Sequence, residues 1–201
     1  MKTMPRLNRL IPAFALASLF VVSANAFAAV TSVATGAWNN PATWDTGVPV
    51  ATDDVIIGAG TTVTIDTTPI TINSLTVLGT LEYDAIVRSF TVTTNVAISP
   101  GGILQTNPAG VQTGHNLFVG GNLTNDGTLD LSTSGNTSGG RLTFTGAASN
   151  TLGGTGATAL RTLTLNKRAS QANILEITTP FSVQGTVGDG TPLAFLTGTN
   201  G

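Results

Sequence analysis

The chain has no cysteine and a single histidine, and charged residues make up only 9% of it, against about 25% in ordinary globular proteins. Without cysteine there are no disulfides, so burial and hydrogen bonding must hold the fold together. The scarcity of histidine and cysteine also removes the parts of a nucleophilic triad and of a histidine- or cysteine-based metal site. We therefore expect no catalytic residue, no bound metal and no cofactor.

Long apolar runs are also absent, apart from one at the N-terminus. Three basic residues precede an apolar stretch over residues 11–22, and small-x-small cleavage sequences end at Ala26 and Ala28. The stretch is shorter than the roughly 20 residues that a transmembrane helix needs, so we favour a cleaved signal peptide over a retained anchor. We predict a signal peptide over residues 1–28. The mature chain is then secreted or at the cell surface after bacterial-type export, without a membrane span.

Basic residues become scarce once the signal peptide is removed. It contains three of the eight lysines and arginines, so five basic residues remain beside ten acidic ones, a formal net charge of −5. A nucleic-acid interface needs lysine and arginine clustered on one face. We therefore expect no nucleic-acid partner.

Threonine and glycine, with 36 and 24 residues, are the abundant residue types. Thr, Val, Ile and Leu alternate with Gly, Asn and Asp, a pattern typical of short strands joined by tight turns. No window after Ala29 has a convincing period of 3.6 residues, so we expect almost no helix. Residues 116–131 contain three brief apolar runs separated by glycine-containing corners, which predicts three strands per coil.

Apolar pairs separated by one residue recur along the chain at intervals of about 21 residues. The pairs begin at Leu75, Val96, Leu117, Leu142, Leu163 and Phe181. A unit of this length cannot bury its own apolar face, so each copy must stack on its neighbours. We predict an all-β, right-handed parallel β-helix, or β-solenoid, over residues 53–201, truncated at its C-terminus. An antiparallel β-sandwich, with turns about every 8–12 residues and longer strands, is the alternative.

The segment before the repeats contains both tryptophans, Trp38 and Trp44, among prolines and glycines. A solenoid leaves a strand edge open at its end, and such an edge must be covered to avoid pairing with other chains. Two large aromatic side chains can supply an apolar lid. We predict an N-terminal cap over residues 29–52, with its lid at residues 38–49.

Five short motifs follow one another in this part of the chain. They are Trp-Asp-Thr-Gly-Val-Pro at 44–49, Asp-Asp-Val-Ile-Ile at 53–57, Thr-Val-Thr-Ile-Asp at 62–66, Leu-Thr-Val at 75–77 and Gly-Thr-Leu-Glu-Tyr at 79–83. In this order they resemble the eight-glycine extracellular domain, over roughly residues 36–90. Residues 116–129 resemble the repeats of bacterial adhesin-like surface proteins. These resemblances imply a surface or adhesion role with polysaccharide contact, and they carry over no catalytic residue.

Carboxylates are the remaining candidates for catalytic or Ca²⁺-binding residues. Glu82 and Asp84 alternate on one strand with Arg88 as the nearest base, and Asp126 and Asp130 lie four residues apart across a corner. Sugar-cleaving enzymes use two carboxylates at a set separation, and β-helix lyases use acidic Ca²⁺ ligands beside a base. A polysaccharide lyase or hydrolase is therefore the alternative function. We favour the simpler interpretation that these are solvated strand and corner residues.

Two further sites have a structural interpretation that we favour. His115 follows Gly114 at an apparent corner, and we expect a solvated turn residue there. Asp53 and Asp54 lack the ligand-rich loop of a Ca²⁺ site, so we expect them to cap the turn into the first strand.

Repeated polar residues suggest two more possibilities. Asn73, Asn95 and Asn116 lie at or near the start of apolar pairs, where they could form an inward amide ladder, although we favour corner residues. Thr-x-Thr occurs at 62–64, 91–93, 143–145 and 162–164, and such hydroxyls could order ice on a flat face. Because threonine is also common on exposed strands, ice binding is the third function considered.

Together these features predict an exported, non-enzymatic β-solenoid that serves as a surface or extracellular-matrix module. Extracellular polysaccharide or cell-surface components are the expected partners. The sequence identifies no ligand-binding residue.

Overall fold

The computed structural model describes residues 29–133, 138–167 and 173–184, together with the backbone of residues 193–196. The predicted signal peptide over residues 1–28 lies outside the described residues.

The described residues form short β-strands that wind through about six turns and stack into three sheets. Sheet I contains β1 (Val30–Thr31), β3 (Asp54–Ile57), β6 (Ser74–Val77), β9 (Val96–Ile98), β12 (Leu123–Asn125), β15 (Asn150–Gly153) and β18 (Leu175–Ile177). Sheet II contains β2 (Gly36–Ala37), β4 (Thr62–Ile65), β7 (Thr80–Tyr83), β10 (Ile103–Gln105), β13 (Thr128–Leu131), β16 (Ala157–Leu160) and β19 (Ser182–Val183). Sheet III contains β5 (Ile70–Ile72), β8 (Ser89–Val92), β11 (His115–Val119), β14 (Gly140–Phe144), β17 (Thr162–Asn166) and β20 (Leu193–Leu196).

Neighbouring strands in each sheet come from successive coils and run parallel. This confirms the all-β parallel β-helix with three strands per coil and excludes the antiparallel sandwich. The helical content of the described residues is one 3-10 turn, Pro41–Thr43.

The core is a stack of apolar side chains that face inward from each coil. On sheet I, Val55, Leu75, Val96, Leu123 and Leu152 lie in register on consecutive strands, and all are buried. Each such side chain contributes about 1.5–3 kcal/mol relative to an exposed one. The alternation of buried and exposed positions seen in most of the strands follows from the two-residue period of a strand.

The repeat register predicted from the apolar pairs is correct only in part. Leu75 does pair with Val96, but Val96 pairs with Leu123 and not with Leu117. Leu117 belongs to sheet III, where it pairs with Phe90 and Leu142. The interval of 21 residues from Val96 to Leu117 therefore connects strands of two different sheets. The reason is that the loop over residues 106–114 lengthens the coil that contains it.

The last predicted pair also departs from the expected stacking. Leu163 pairs with Leu142 as expected, but Phe181 precedes β19 on sheet II and is not above Leu163. Residues that are partners in adjacent coils are 18 apart in sequence at Val63 and Leu81, and 30 apart at Leu163 and Leu193. The coils thus share their three-strand plan but not a constant length.

Glycines occupy corners where successive coils touch. At Gly102, a Cβ atom would lie 2.2 Å from the backbone oxygen of Val77 in the preceding coil. Gly154 has a φ of 107°, and a Cβ atom there would lie 2.1 Å from the backbone oxygen of Asn125. Close approach of neighbouring backbone, as well as positive φ, therefore requires glycine at these corners.

The N-terminal segment closes the first coil with its two tryptophans. Trp38 and Trp44 are buried, and their rings pack edge to face with centroids 4.8 Å apart, while Trp38 also lies 5.2 Å from Phe90. The indole Nε1 of Trp44 donates a hydrogen bond of 2.8 Å to the backbone oxygen of Trp38. The strands β1 and β2 lie inside the predicted cap and join sheets I and II. The domain boundary at residue 52 stays a prediction.

The outer edge of β1 is covered by residues 43–45, which are the last residue of the 3-10 turn and the two that follow it. Ser32 and Trp44 form an antiparallel bridge, and the Val33 N–H donates to the Thr43 oxygen at 2.8 Å. Asp45 accepts the Thr31 N–H on its carboxylate at 2.9 Å. These bonds use donors that an open edge would present to another strand.

Candidate functional site

The outward residues of the three sheets form three faces, named here face I, face II and face III after their sheets. On face II, the residues Thr64, Glu82, Gln105 and Asp130 lie in one row across four coils. The Gln105 Nε2 donates to the Glu82 Oε2 at 2.8 Å. Two of the predicted carboxylates, Glu82 and Asp130, therefore share a face, with an amide between them.

Asp84 forms an ion pair with Arg88 at the corner after β7. The Arg88 Nε donates to one Asp84 oxygen at 2.9 Å and the Arg88 Nη2 to the other, while the Ile86 N–H also donates to Asp84. Burial acts to raise the pKa of Asp84, but these hydrogen bonds and the Arg88 charge outweigh it, so the pKa lies below its ordinary value. A sugar-cleaving acid needs a raised pKa, so Asp84 does not suit that role.

Asp126 does not join the other carboxylates. It lies at the corner between β12 and β13, where it accepts hydrogen bonds of 2.9 Å from the N–H and the hydroxyl of Thr155. Asp130 instead accepts from the N–H and hydroxyl of Ser132. Both carboxylates therefore support corners and strand ends, which agrees with the interpretation favoured from the sequence.

Replacing Asp84 with asparagine is expected to lower the free energy of unfolding by about 1 kcal/mol, because the charge-assisted bidentate pair with Arg88 is lost at a site only 19% exposed. Glu82→Gln is the control, since a glutamine oxygen can still accept from Gln105, and we expect almost no change. Urea unfolding at neutral pH measures both. Equal losses in the two variants would contradict the assignment.

The prediction for His115 is wrong. The residue is fully buried, because β11 begins at His115 and the two-residue alternation that buries Leu117 and Val119 also turns His115 inward. The signal was present in the sequence as His115, Leu117 and Val119 at alternate positions. The expected turn residue is absent because the corner ends at Gly114 and β11 begins at the next residue.

His115 is held in the core by a backbone donor and an aromatic ring. Its Nδ1 accepts the Arg88 N–H at 3.2 Å, and its ring lies 4.7 Å from that of the buried Tyr83. The Nε2 is buried and has no hydrogen-bond partner in the part of the chain that the structure describes. Burial lowers the pKa of His115 to about 4, with Asp84 opposing and Arg88 adding to this effect. A histidine shielded in this way cannot reach a ligand outside the solenoid.

The adjacent carboxylates before and in β3 have separate structural roles. Asp53 accepts the Val50 N–H at 2.8 Å and so caps the turn that leads into β3, as expected. Asp54 accepts hydrogen bonds from Asn73 and Ser74. Within the described ranges, no group of three or more His, Cys, Asp or Glu side chains could hold a metal ion.

The asparagines do not form the inward ladder considered above, and the corner interpretation holds for Asn95 but not for Asn116, which lies within β11. The Asn95 side chain accepts the Asn122 N–H at 2.8 Å, and the Asn122 side chain accepts the Thr151 N–H at 2.9 Å. Asn116 lies on face III, and its amide donates to the Gly114 oxygen. The true successor of Asn95 is thus Asn122, one coil later.

The Thr-x-Thr motifs do not combine into one exposed hydroxyl array. Thr62 and Thr64 lie on face II, whereas Thr143 and Thr164 lie on face III and are only 3% and 5% exposed. Phe118 stands between Thr91 and Thr143 in the same row. An ice-binding surface would need a regular exposed array, and the described residues offer none on these positions.

A family model described as the G8 domain matches residues 43–152, which is more than half of the chain. The chain belongs to the G8 domain family. The G8 match begins in the 3-10 turn and ends in β15, so it extends well past residues 36–90 and includes the segment that resembled adhesin repeats. No curated protein and no solved structure matches the chain significantly.

Membership of the G8 family, together with the solenoid fold, supports an extracellular-type module. Among the described residues, no helix has the length and apolar character needed to cross a membrane.

Proposed function

We propose that this G8 protein is an exported, non-enzymatic module that contacts extracellular polysaccharide through the outward faces of its solenoid. The observation that carries the proposal is the alignment of polar side chains on successive coils, as in the row Thr64, Glu82, Gln105 and Asp130. Such a row repeats at the strand spacing of about 4.8 Å. A polysaccharide also presents its hydroxyls at regular intervals along an extended chain, so hydrogen bonds can form at several coils at once.

The chemistry of the carboxylates and the histidine supports binding without catalysis. Asp84 has a lowered pKa in its pair with Arg88, and His115 is enclosed in the core. A glycosidase needs a protonated acid and a second carboxylate that both reach the same bond. Neither group meets that need, so a surface or adhesive role is the better supported function.

The proposal is tested with the secreted chain by affinity electrophoresis in gels that contain acidic or neutral polysaccharides, and by following the viscosity of the same polymers in Ca²⁺. We expect retention by at least one polymer and no loss of viscosity. Lack of retention by every polymer would contradict the proposal. A fall in viscosity that disappears in the Glu82→Gln, Asp84→Asn double variant would instead establish the carbohydrate-active enzyme.

A further inference from the structure

The first outward positions of sheet III bring an exposed cation next to an amide. Ser89, Asn116, Arg141 and Thr162 lie in register on β8, β11, β14 and β17. The Arg141 side chain is exposed, and within the described residues it makes no hydrogen bond or ion pair. Its guanidinium therefore presents its donors to solvent beside the Asn116 side chain.

A second guanidinium lies close by and is fixed in position. The Arg161 Nη1 donates to the Thr113 oxygen two coils away, and the Arg161 stem passes where a Cβ atom on Gly139 would lie 2.7 Å from its Cδ. Burial and the nearby charge of Arg141 both lower the pKa of Arg161. Arg141 is in register with Thr162, the residue after Arg161, so the two positive charges come from neighbouring coils, and both would attract an anion bound there.

Carboxylates are distributed away from this position. In the described part of the chain, they lie in the N-terminal segment, at corners and on faces I and II, and no outward position of a sheet III strand is acidic. Asp84 at the adjoining corner is already paired with Arg88. Face II, with Glu82 and Asp130, would repel an anionic polymer, whereas the start of face III would attract it.

Phe118 places an aromatic ring on the same face as Asn116 and Arg141. Phe118 is a half-buried outward residue two positions after Asn116 on β11. Its row continues through Thr71 and Thr91 on one side, and through the buried Thr143 and Thr164 and then Ala194 on the other. A sugar ring can pack its C–H groups on such a ring while its charged substituent meets an arginine fork, which holds planar anions with two parallel hydrogen bonds.

From this arrangement, and resting on the proposed function, we infer that Arg141, Asn116 and Phe118 form a binding site for a polysaccharide that bears carboxylate or sulfate groups. The arginine fork binds the anionic substituent, and the phenyl ring packs on the sugar. The site lies on face III, so the acidic row of face II is not part of it.

The test measures dissociation constants by calorimetry for polygalacturonate, dextran sulfate and uncharged dextran. We expect at least one of the two anionic polymers to bind, with affinity that falls as salt rises, and Arg141→Gln to weaken it about tenfold. Thr124→Glu is the matched control, because it lowers the net charge by one at an exposed position on face I and should leave binding nearly unchanged. Phe118→Leu should weaken binding without changing its salt dependence.

The possible outcomes separate this inference from the proposed function. Binding of uncharged dextran that equals that of the anionic polymers, or equal losses in Arg141→Gln and Thr124→Glu, overturns the face III site and leaves the general function standing. Equally tight binding of duplex DNA shows an unselective attraction for polyanions and also overturns the site. Failure of every polysaccharide to bind overturns both.

Discussion

Replacing Trp38 with alanine should lower the free energy of unfolding by about 3–5 kcal/mol, the range for truncation of a large aromatic residue in a core. The indole is 1% exposed and packs on both Trp44 and Phe90. Its loss leaves a cavity at the end of the described coils, where the described residues provide no further coil to close the gap. The ring contacts with Trp44 and Phe90 are lost together.

The same substitution should also cause self-association. Trp44 packs against Trp38 and donates a hydrogen bond to its backbone oxygen. Trp44 and its two neighbours, residues 43–45, cover the outer edge of β1. When this cover loosens, the N–H groups of Thr31 and Val33 become available to a strand of another molecule. Sedimentation velocity should therefore detect dimers or larger species in the variant at concentrations where the parent chain is monomeric.

The control for this experiment lies in the same N-terminal segment. Val50 is 59% exposed, so Val50→Ala should change the free energy of unfolding by less than about 0.5 kcal/mol. Urea unfolding followed by circular dichroism measures both variants. A Trp38→Ala chain that loses less than about 1 kcal/mol and sediments as the parent does would show that this segment does not stabilise or protect the solenoid.

Strand type and fold class were predictable from the sequence because they depend on local patterns. Alternation of apolar residues and glycine corners over residues 116–131 indicates β11, β12 and β13, although β11 begins one residue earlier, at His115. Which strand stacks on which was less predictable, since it depends on the lengths of the corner loops. The loop over residues 106–114 shifts the partner of Val96 from Leu117 to Leu123, and no local pattern assigns a loop to a corner.

The polar residues were harder to place for a related reason. The sequence predicts Glu82 and Asp84 on one strand, but β7 ends at Tyr83 and Asp84 lies at the following corner. The partner of Glu82, Gln105, comes from the next coil, and the partner of Asp84, Arg88, lies at the end of the same corner. The sequence alone does not identify Arg141 as a binding residue, because its neighbours on face III depend on the register between β14 and β11. Long-range stacking therefore decides which polar groups are free to bind a ligand.

Lowering the pH from about 6.5 to about 4 should lower the free energy of unfolding by about 3 kcal/mol, because of the titration of His115. The sign follows from its pKa, which burial lowers to about 4 from an ordinary value of 6.5. As the pH falls through this window, the unfolded chain takes up a proton on His115 while the folded chain does not, so unfolding becomes easier. Below about 4 both states are protonated and this contribution stops growing.

The surroundings of His115 explain why protonation is unfavourable in the folded state. Protonation would need the Nδ1 position that accepts the Arg88 N–H, and it would place a charge beside Tyr83 in the core. The Asp84 carboxylate would favour that charge, but burial and the Arg88 charge together outweigh it. Asp84 itself, with its pKa below 3.8, affects stability as the pH falls below that value, so the two groups act in different windows.

His115→Asn separates this effect from general acid sensitivity. An asparagine oxygen can replace Nδ1 as acceptor for the Arg88 N–H, but the side chain does not titrate. The variant is expected to be less stable at neutral pH because a smaller side chain leaves space beside Tyr83, yet its free energy of unfolding should be nearly constant between pH 6.5 and pH 4. Urea titrations at closely spaced pH values measure the difference. A parallel decline in both proteins across this window would exclude His115 as its source.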